Sequence, residues 1–166
     1  SLIYPLVAKD LLAVWHVTSS YLLDVYLYLL LTHQSQHMYT PQQSQTVKQM
    51  SNWLAKTKWD YFSTITYRYD VKSKQHFKIM TGLEDYLKSL RKPFDMFWVT
   101  EFTNYNYNTH NHLLVKGNIL GDITYHLKGK SLIGDYVQHL PYEEGASTYV
   151  SKYIYDGNWG IVNNNS

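Results

Sequence analysis

His110-Asn111-His112-Leu113-Leu114-Val115-Lys116-Gly117 is the stretch from which the rest of the chain is read. An apolar run bounded by polar residues and closed by glycine has the make-up of a strand. Side chains alternate along a strand, so His110 and His112 share one face while Asn111 points to the other. Two imidazoles held side by side on a rigid backbone make half of a metal site. A lone pair of this kind is more often a packing or hydrogen-bonding feature, so its meaning rests on what else reaches it.

Working outward, Met96 to Phe102 reads as a second strand ending near Glu101, and residues 104–109 as a polar hairpin loop leading back to His110. A hairpin of this length returns Glu101 beside the histidines. Tyr61 to Tyr69, dense in aromatic and β-branched residues, is another strand. Ser73 is a candidate cap for a helix in which Ile79, Leu83, Leu87 and Leu90 recur at three and four, stopped by Pro93. Asp122 to Leu127 reads as a short helix and Leu132 to Leu140 as a fourth strand. Pro141 is expected in the first turn of a helix running through Ala146, Tyr149, Val150, Tyr153 and Ile154, closed by Gly157. The Asn-rich tail after Gly160 is expected to fray. Helices and strands mixed around an antiparallel hairpin predict an α+β fold, a central antiparallel sheet with flanking helices, rather than a doubly wound sheet.

The 166 residues fit one ordinary domain with a short appendage, and 45% hydrophobic with 17% charged residues is a globular composition. There is no cysteine, which excludes disulfides and thiolate ligands and leaves histidine and carboxylate to hold a metal. A net charge of +2 announces no strong polyanion binder. The 17 tyrosines offer flat faces for unpaired bases, although a tyrosine-rich core and surface would give the same count. Ser1 opens the chain, so a fragment of a longer protein stays open.

Residues 1–58 read as an N-terminal helical extension followed by a polar linker. Helices are expected within residues 4–31, where the apolar run Tyr21 to Leu31 is about half of a membrane span and contains Asp24. His16 and the Thr18-Ser19-Ser20 break also argue against a span, so no membrane partner is expected. Residues 32–49 turn Gln- and Ser-rich and read as a linker, and 46–58 as a helix leading into the main domain. His33 and His37 stand four apart, but no third ligand accompanies them. The main domain is expected over 59–157, with 158–166 as the frayed tail.

Chemistry concentrates on Tyr149-Val150-Ser151-Lys152-Tyr153. Tyrosines four apart on a helix share a face, a spacing that also suits core packing. Lys152 adds a cation three residues after Tyr149. A phenol has a pKa of about 10 and attacks poorly at neutral pH, and a nearby lysine or metal favours the phenolate. His110, His112 and Glu101 around a divalent cation would polarise a phosphate oxygen. This donor set suits Mn2+ or Mg2+, and would bind Zn2+ or Ni2+ tightly without that being physiological. Gly129-Lys130-Ser131 looks like the end of a phosphate-binding loop, but Thr124 stands where its first glycine would fall.

These residues resemble the HUH endonucleases, which initiate rolling-circle replication, conjugation and single-strand transposition. His110-Asn111-His112 with Leu113-Leu114-Val115-Lys116-Gly117 resembles their His-hydrophobic-His motif, with Asn111 in the hydrophobic place and facing away from the metal. Phe62-Ser63-Thr64-Ile65-Thr66 resembles the first motif, a strand at the sheet centre, and Tyr149-Val150-Ser151-Lys152 the Tyr-x-x-Lys nucleophile helix. Glu101, nine residues before His110, stands where replication initiators of this family place the third metal ligand. The resemblance covers residues 59–157 and implies a Rep-like palm. Tyr149 and Tyr153 look like the two-tyrosine branch, in which the tyrosines alternate. Asp156 stands where a second Tyr-x-x-Lys would need lysine, so one nucleophile or two stays open.

The resemblance implies metal-dependent nicking and joining of single-stranded origin or hairpin DNA. Tyr149, with or without Tyr153, would form a 5′-phosphotyrosine and free a 3′-hydroxyl. It also implies an intracellular site of action, cytoplasm or nucleus according to the host. A host- or element-encoded helicase would lie outside this chain. The alternatives are a non-catalytic single-stranded nucleic-acid-binding module that stacks bases on tyrosines, and a structural α+β domain with a packed histidine pair.

Overall fold

The computed structural model describes residues 39–102, 109–134, 137–155 and 157–164. The chain divides into two compact units, Ser1–Thr40 and Pro41–Ser166. The helices expected within residues 4–31 and the His33/His37 pair lie outside the described residues. None of the described helices is long and apolar enough to cross a membrane.

The second unit runs α1 (Pro41–Leu54), β1 (Tyr61–Thr66), α2 (Ser73–Ser89), β2 (Phe94–Glu101), β3 (His110–Lys116), α3 (Leu120–Gly129), β4 (Gln138–Pro141), α4 (Glu144–Ser151) and β5 (Trp159–Asn164). The strands form one antiparallel sheet in the order β4-β1-β3-β2-β5, so the architecture is α+β, as the mixed pattern predicts. β3 occupies the centre and carries the histidines where neighbouring strands fix the backbone on both sides.

Helices cover both faces of this sheet, which explains why β2 and β3 are apolar almost throughout rather than alternating. On one face, Ile65, Met96, Trp98, Leu113 and Val115 pack with Met80, Leu83 and Leu87 of α2 and with Ile123 and Leu127 of α3. On the other, Phe97, Val99 and Leu114 pack with Leu54 of α1, Val150 of α4 and Tyr153. The α2 stripe at spacing three and four supplies the first core. The chain leaves α2 through Arg91 at φ 53°, a left-handed residue just past the helix end.

Four expectations need correction. The linker expected over 32–49 gives way at Pro41 to α1, so the unit begins at Pro41 rather than at 59. Proline suits the first helical turn because no N–H is required there. α1 buries little beyond Leu54 and Met50, so its sequence reads as polar although it docks on α4, with Ser51 Oγ 2.9 Å from Thr148 Oγ1.

The α2 helix begins at Ser73, but its N-cap is Lys72, whose backbone N–H donates to Gln75 Oε1 at 2.9 Å.

The fourth strand is short and ends on Pro141, which therefore does not open the helix. β4 lies at a sheet edge, where a missing N–H costs no ladder bond. Helix α4 starts at Glu144 and ends at Ser151, earlier than expected.

Finally, the tail expected to fray forms β5, pairing Met96 with Val162 and Val99 with Trp159 along β2. Its asparagines conceal a strand held by backbone pairing. Gly157 and Gly160 permit the approach: a Cβ on Gly157 would lie 2.1 Å from the Thr100 carbonyl oxygen, and one on Gly160 2.7 Å from the Trp98 indole.

Candidate active site

The register of the central strands sets the site. His110 stands opposite Thr66 of β1 and Glu101 of β2, and His112 opposite Thr64 and Val99. Strand alternation then puts the two histidines, the two threonines and Glu101 on the side covered by α1 and α4. The Glu101 carboxylate, although paired in register with His110, reaches diagonally to His112, with Oε2 2.6 Å from Nε2. On the far side of each ring, Nδ1 meets a threonine hydroxyl: His112 with Thr64 at 3.2 Å and His110 with Thr66 at 3.1 Å.

The tyrosines arrive from above. α4 ends two residues after Tyr149, and Tyr153 lies in the turns that follow, yet the spacing of four still brings the rings together, with centroids 5.3 Å apart. Tyr149 meets the His112 ring edge-on at 5.1 Å and Tyr153 lies 5.9 Å from it, while Phe62 stacks on that ring at 5.6 Å. The Tyr149 hydroxyl donates to Glu101 Oε2 at 3.2 Å, and the Tyr153 hydroxyl also bonds this carboxylate. Glu101, His112, Tyr149 and Tyr153 are thus one connected cluster. His110 lies beside it, its ring centroid 6.3 Å from that of His112. Lys152 is the C-cap of α4, and its backbone N–H donates to the Tyr149 carbonyl at 3.2 Å. Among the described residues, no three His, Asp or Glu side chains stand in metal-holding geometry.

The electrostatics follow from burial and contact. Burial alone would raise the Glu101 carboxyl. The hydrogen bond and charge of His112, with bonds from both tyrosine hydroxyls, outweigh it and hold the group below its ordinary value. Burial lowers His110, helped by the neighbouring His112. Burial drives the Tyr153 phenol far up, reinforced by Tyr149 and Glu101. Tyr153 is 6% exposed, whereas Tyr149 is only half-buried. Of the two phenols, Tyr149 is therefore the more open to an incoming strand.

Behind the histidines, Asn111 is more than a tolerated polar residue. It is fully buried on the opposite face, where its Oδ1 accepts from the Tyr67 hydroxyl at 2.6 Å and lies 2.9 Å from His76 Nδ1. Its Nδ2 donates to Thr100 Oγ1 at 2.9 Å and to the Val99 carbonyl at 3.4 Å. One side chain so ties β2, α2 and the end of β1 to the residue between the two histidines. Burial lowers the His76 pKa, and its Nε2 has no partner among the described residues. A polar residue inside an apolar strand was the available sequence signal, since a buried amide must find partners. The threonines had a signal too: Thr64-x-Thr66 repeats the period of His110-x-His112.

The matching family model, the replication-associated protein family of the ORF2 type, spans residues 60–158. Comparisons with curated proteins and with solved structures give no match. The matched span runs from the start of the sheet to the glycine-containing turn after Tyr153, and so contains every residue of the cluster. The chain belongs to this family of replication-associated proteins.

Proposed function

We propose that the chain nicks and rejoins single-stranded DNA as an HUH-type initiator of rolling-circle replication or transposition, with Tyr149 as the nucleophile. The observation that carries this reading is the shared atom at the centre of the cluster: Glu101 Oε2 receives both the Tyr149 hydroxyl and the His112 ring. A nucleophile and a donor set for a cation therefore meet at one point, as geometry-first recognition of an active site requires.

The residues fit a divalent cation in their chemistry. Two imidazoles and a carboxylate share a face, and each histidine has its Nδ1 already partnered, which leaves Nε2 to face the site. His110, His112 and Glu101 would hold Mn2+ or Mg2+. Once bound, the ion polarises a non-bridging phosphate oxygen and offsets the charge that builds on phosphorus. The chain's own groups do the rest. The half-buried Tyr149 attacks phosphorus, and the 3′-oxygen leaves and takes a proton from water. The products are a 5′-phosphotyrosine and a free 3′-hydroxyl, and reversal reseals the strand. Glu101 orients the Tyr149 O–H before attack, and Lys152 supplies positive charge at the same helix end. Tyr153 is assigned a positioning role, because its buried phenol resists ionisation and its hydroxyl anchors Glu101.

A non-catalytic single-strand binding module is the second reading. It is favoured by exposed rings at Tyr69, Tyr125, Tyr155 and Trp159, which can stack bases without a metal. Labelled single-stranded oligonucleotides incubated with the chain and Mn2+ separate the two. Nicking gives a covalent adduct that survives denaturant, needs metal and is lost in Tyr149→Phe but not in Tyr153→Phe. If only the double mutant loses it, both tyrosines are nucleophiles. Metal-independent binding with no adduct from a randomised pool leaves the binding module.

A further inference from the structure

We infer that Thr64 and Thr66 are positioning residues that let each histidine ring exchange its tautomer when a cation enters, an assignment that rests on the metal-binding reading above. The strand register sets one threonine opposite each histidine, and both hydroxyls lie within hydrogen-bond distance of Nδ1, at 3.2 Å for Thr64 and 3.1 Å for Thr66. Ligating histidines ordinarily give their second ring nitrogen to a carboxylate, a backbone carbonyl or water. Carboxylates and carbonyls only accept, so they lock the proton on Nδ1. Such a lock would leave the bare Nε2 lone pair of His112 against Glu101 Oε2 at 2.6 Å, a repulsive contact with no proton between them.

A hydroxyl both donates and accepts. In the metal-free chain, Nε2–H of His112 donates to Glu101 and the Thr64 O–H donates to Nδ1. When Nε2 is given over to a cation, its proton leaves to water and Nδ1 takes one up. The threonine hydroxyl then turns to accept from Nδ1–H. The ring's proton count is unchanged and Nδ1 keeps a partner in both states. Thr66 serves His110 in the same way. The alternation of hydroxyls on β1 in step with imidazoles on β3 thus gives the Phe62–Thr66 strand a task beyond its place in the sheet.

The test uses the full chain and two series, T64V/T66V, which keeps the shape and removes the hydroxyl, and T64S/T66S, which keeps the hydroxyl. Mn2+ affinity is read by electron paramagnetic resonance of the free ion, and ring tautomers by long-range 1H–15N spectra, metal-free and with diamagnetic Zn2+. The expected result is a loss of about 10–100-fold in Mn2+ affinity for the valine chain and near-wild-type affinity for the serine chain. Metal-free His112 should carry its proton on Nε2, and on Nδ1 once Zn2+ is bound. Valine variants that bind Mn2+ as tightly as wild type, serine variants as weak as valine, or an Nδ1–H tautomer in the metal-free chain each overturn the inference. The metal-free spectrum decides even where a valine variant fails to fold. A wild-type chain that takes up no Mn2+ overturns the metal reading, and this inference with it.

Discussion

Replacing Asn111 by alanine tests whether the network behind the histidines holds the site together. Asn111 uses all its hydrogen-bonding capacity on Tyr67, His76, Thr100 and the Val99 carbonyl, with no exposure to water. Its removal strands the Tyr67 hydroxyl, the His76 Nδ1–H and the Thr100 hydroxyl in the core. Each buried group left without a partner costs about 1–3 kcal/mol, which gives an upper range of about 3–9 kcal/mol. Thr100 can turn to a backbone acceptor, and the Tyr67 and His76 rings, 4.8 Å apart, can partly satisfy each other. The expected loss is therefore about 3–5 kcal/mol, a large share of the roughly 5–15 kcal/mol that holds a domain folded. Tyr67→Phe leaves His76 on Asn111 and removes one bond, so about 1 kcal/mol is expected. Urea unfolding of the whole chain at about pH 7.5 measures both, provided the slope is unchanged between variants. A loss below about 1 kcal/mol for Asn111→Ala, or a larger loss for Tyr67→Phe, would refute the hub assignment.

Three further outcomes follow from the packing and the charges. Burial holds His76 and His139 below their ordinary 6.5, so the unfolded chain binds protons that the folded chain does not. The neutral rings' contribution is complete above about 6.5 and lost as pH falls through their folded values; Glu101, also depressed, adds a loss at lower pH. The urea midpoint should thus be flat from about pH 7 to 8 and fall on acidification, and a rise would contradict the assignment. Gly157→Ala should lose about 2–3 kcal/mol in the same assay, because its Cβ meets the Thr100 backbone rather than a movable side chain. Leu54→Ala should cost about 2–5 kcal/mol if α1 belongs to the folded unit, and next to nothing if the helix is an ornament of the linker.

Much of the fold was legible because its central elements announce themselves locally. β3 lies where its apolar run and flanking lysine-glycine put it, and α2 follows its stripe of Ile79, Leu83 and Leu87. The candidate site was legible for the same reason: strand alternation and helix spacing carry His110, His112, Tyr149 and Tyr153 to shared faces, and the hairpin returns Glu101. What escaped was set by partners distant in sequence. β5 exists because β2 offers an unpaired edge, which nothing in Trp159-Gly160-Ile161-Val162-Asn163-Asn164 discloses. α1 is polar on most of its surface and is held through Leu54 and Ser51, so composition alone resembled a linker. Asn111 looked incidental because its partners lie elsewhere in the chain, and only the fold brings them to it.

The most direct test of the central claim is transfer of a labelled single-stranded oligonucleotide to the chain in the presence of Mn2+, read on a denaturing gel. The account predicts an adduct that requires metal, persists in Tyr153→Phe, and disappears in Tyr149→Phe and in the His110→Ala/His112→Ala double variant. An adduct that forms without Tyr149, or one indifferent to both histidines and to metal, would contradict it.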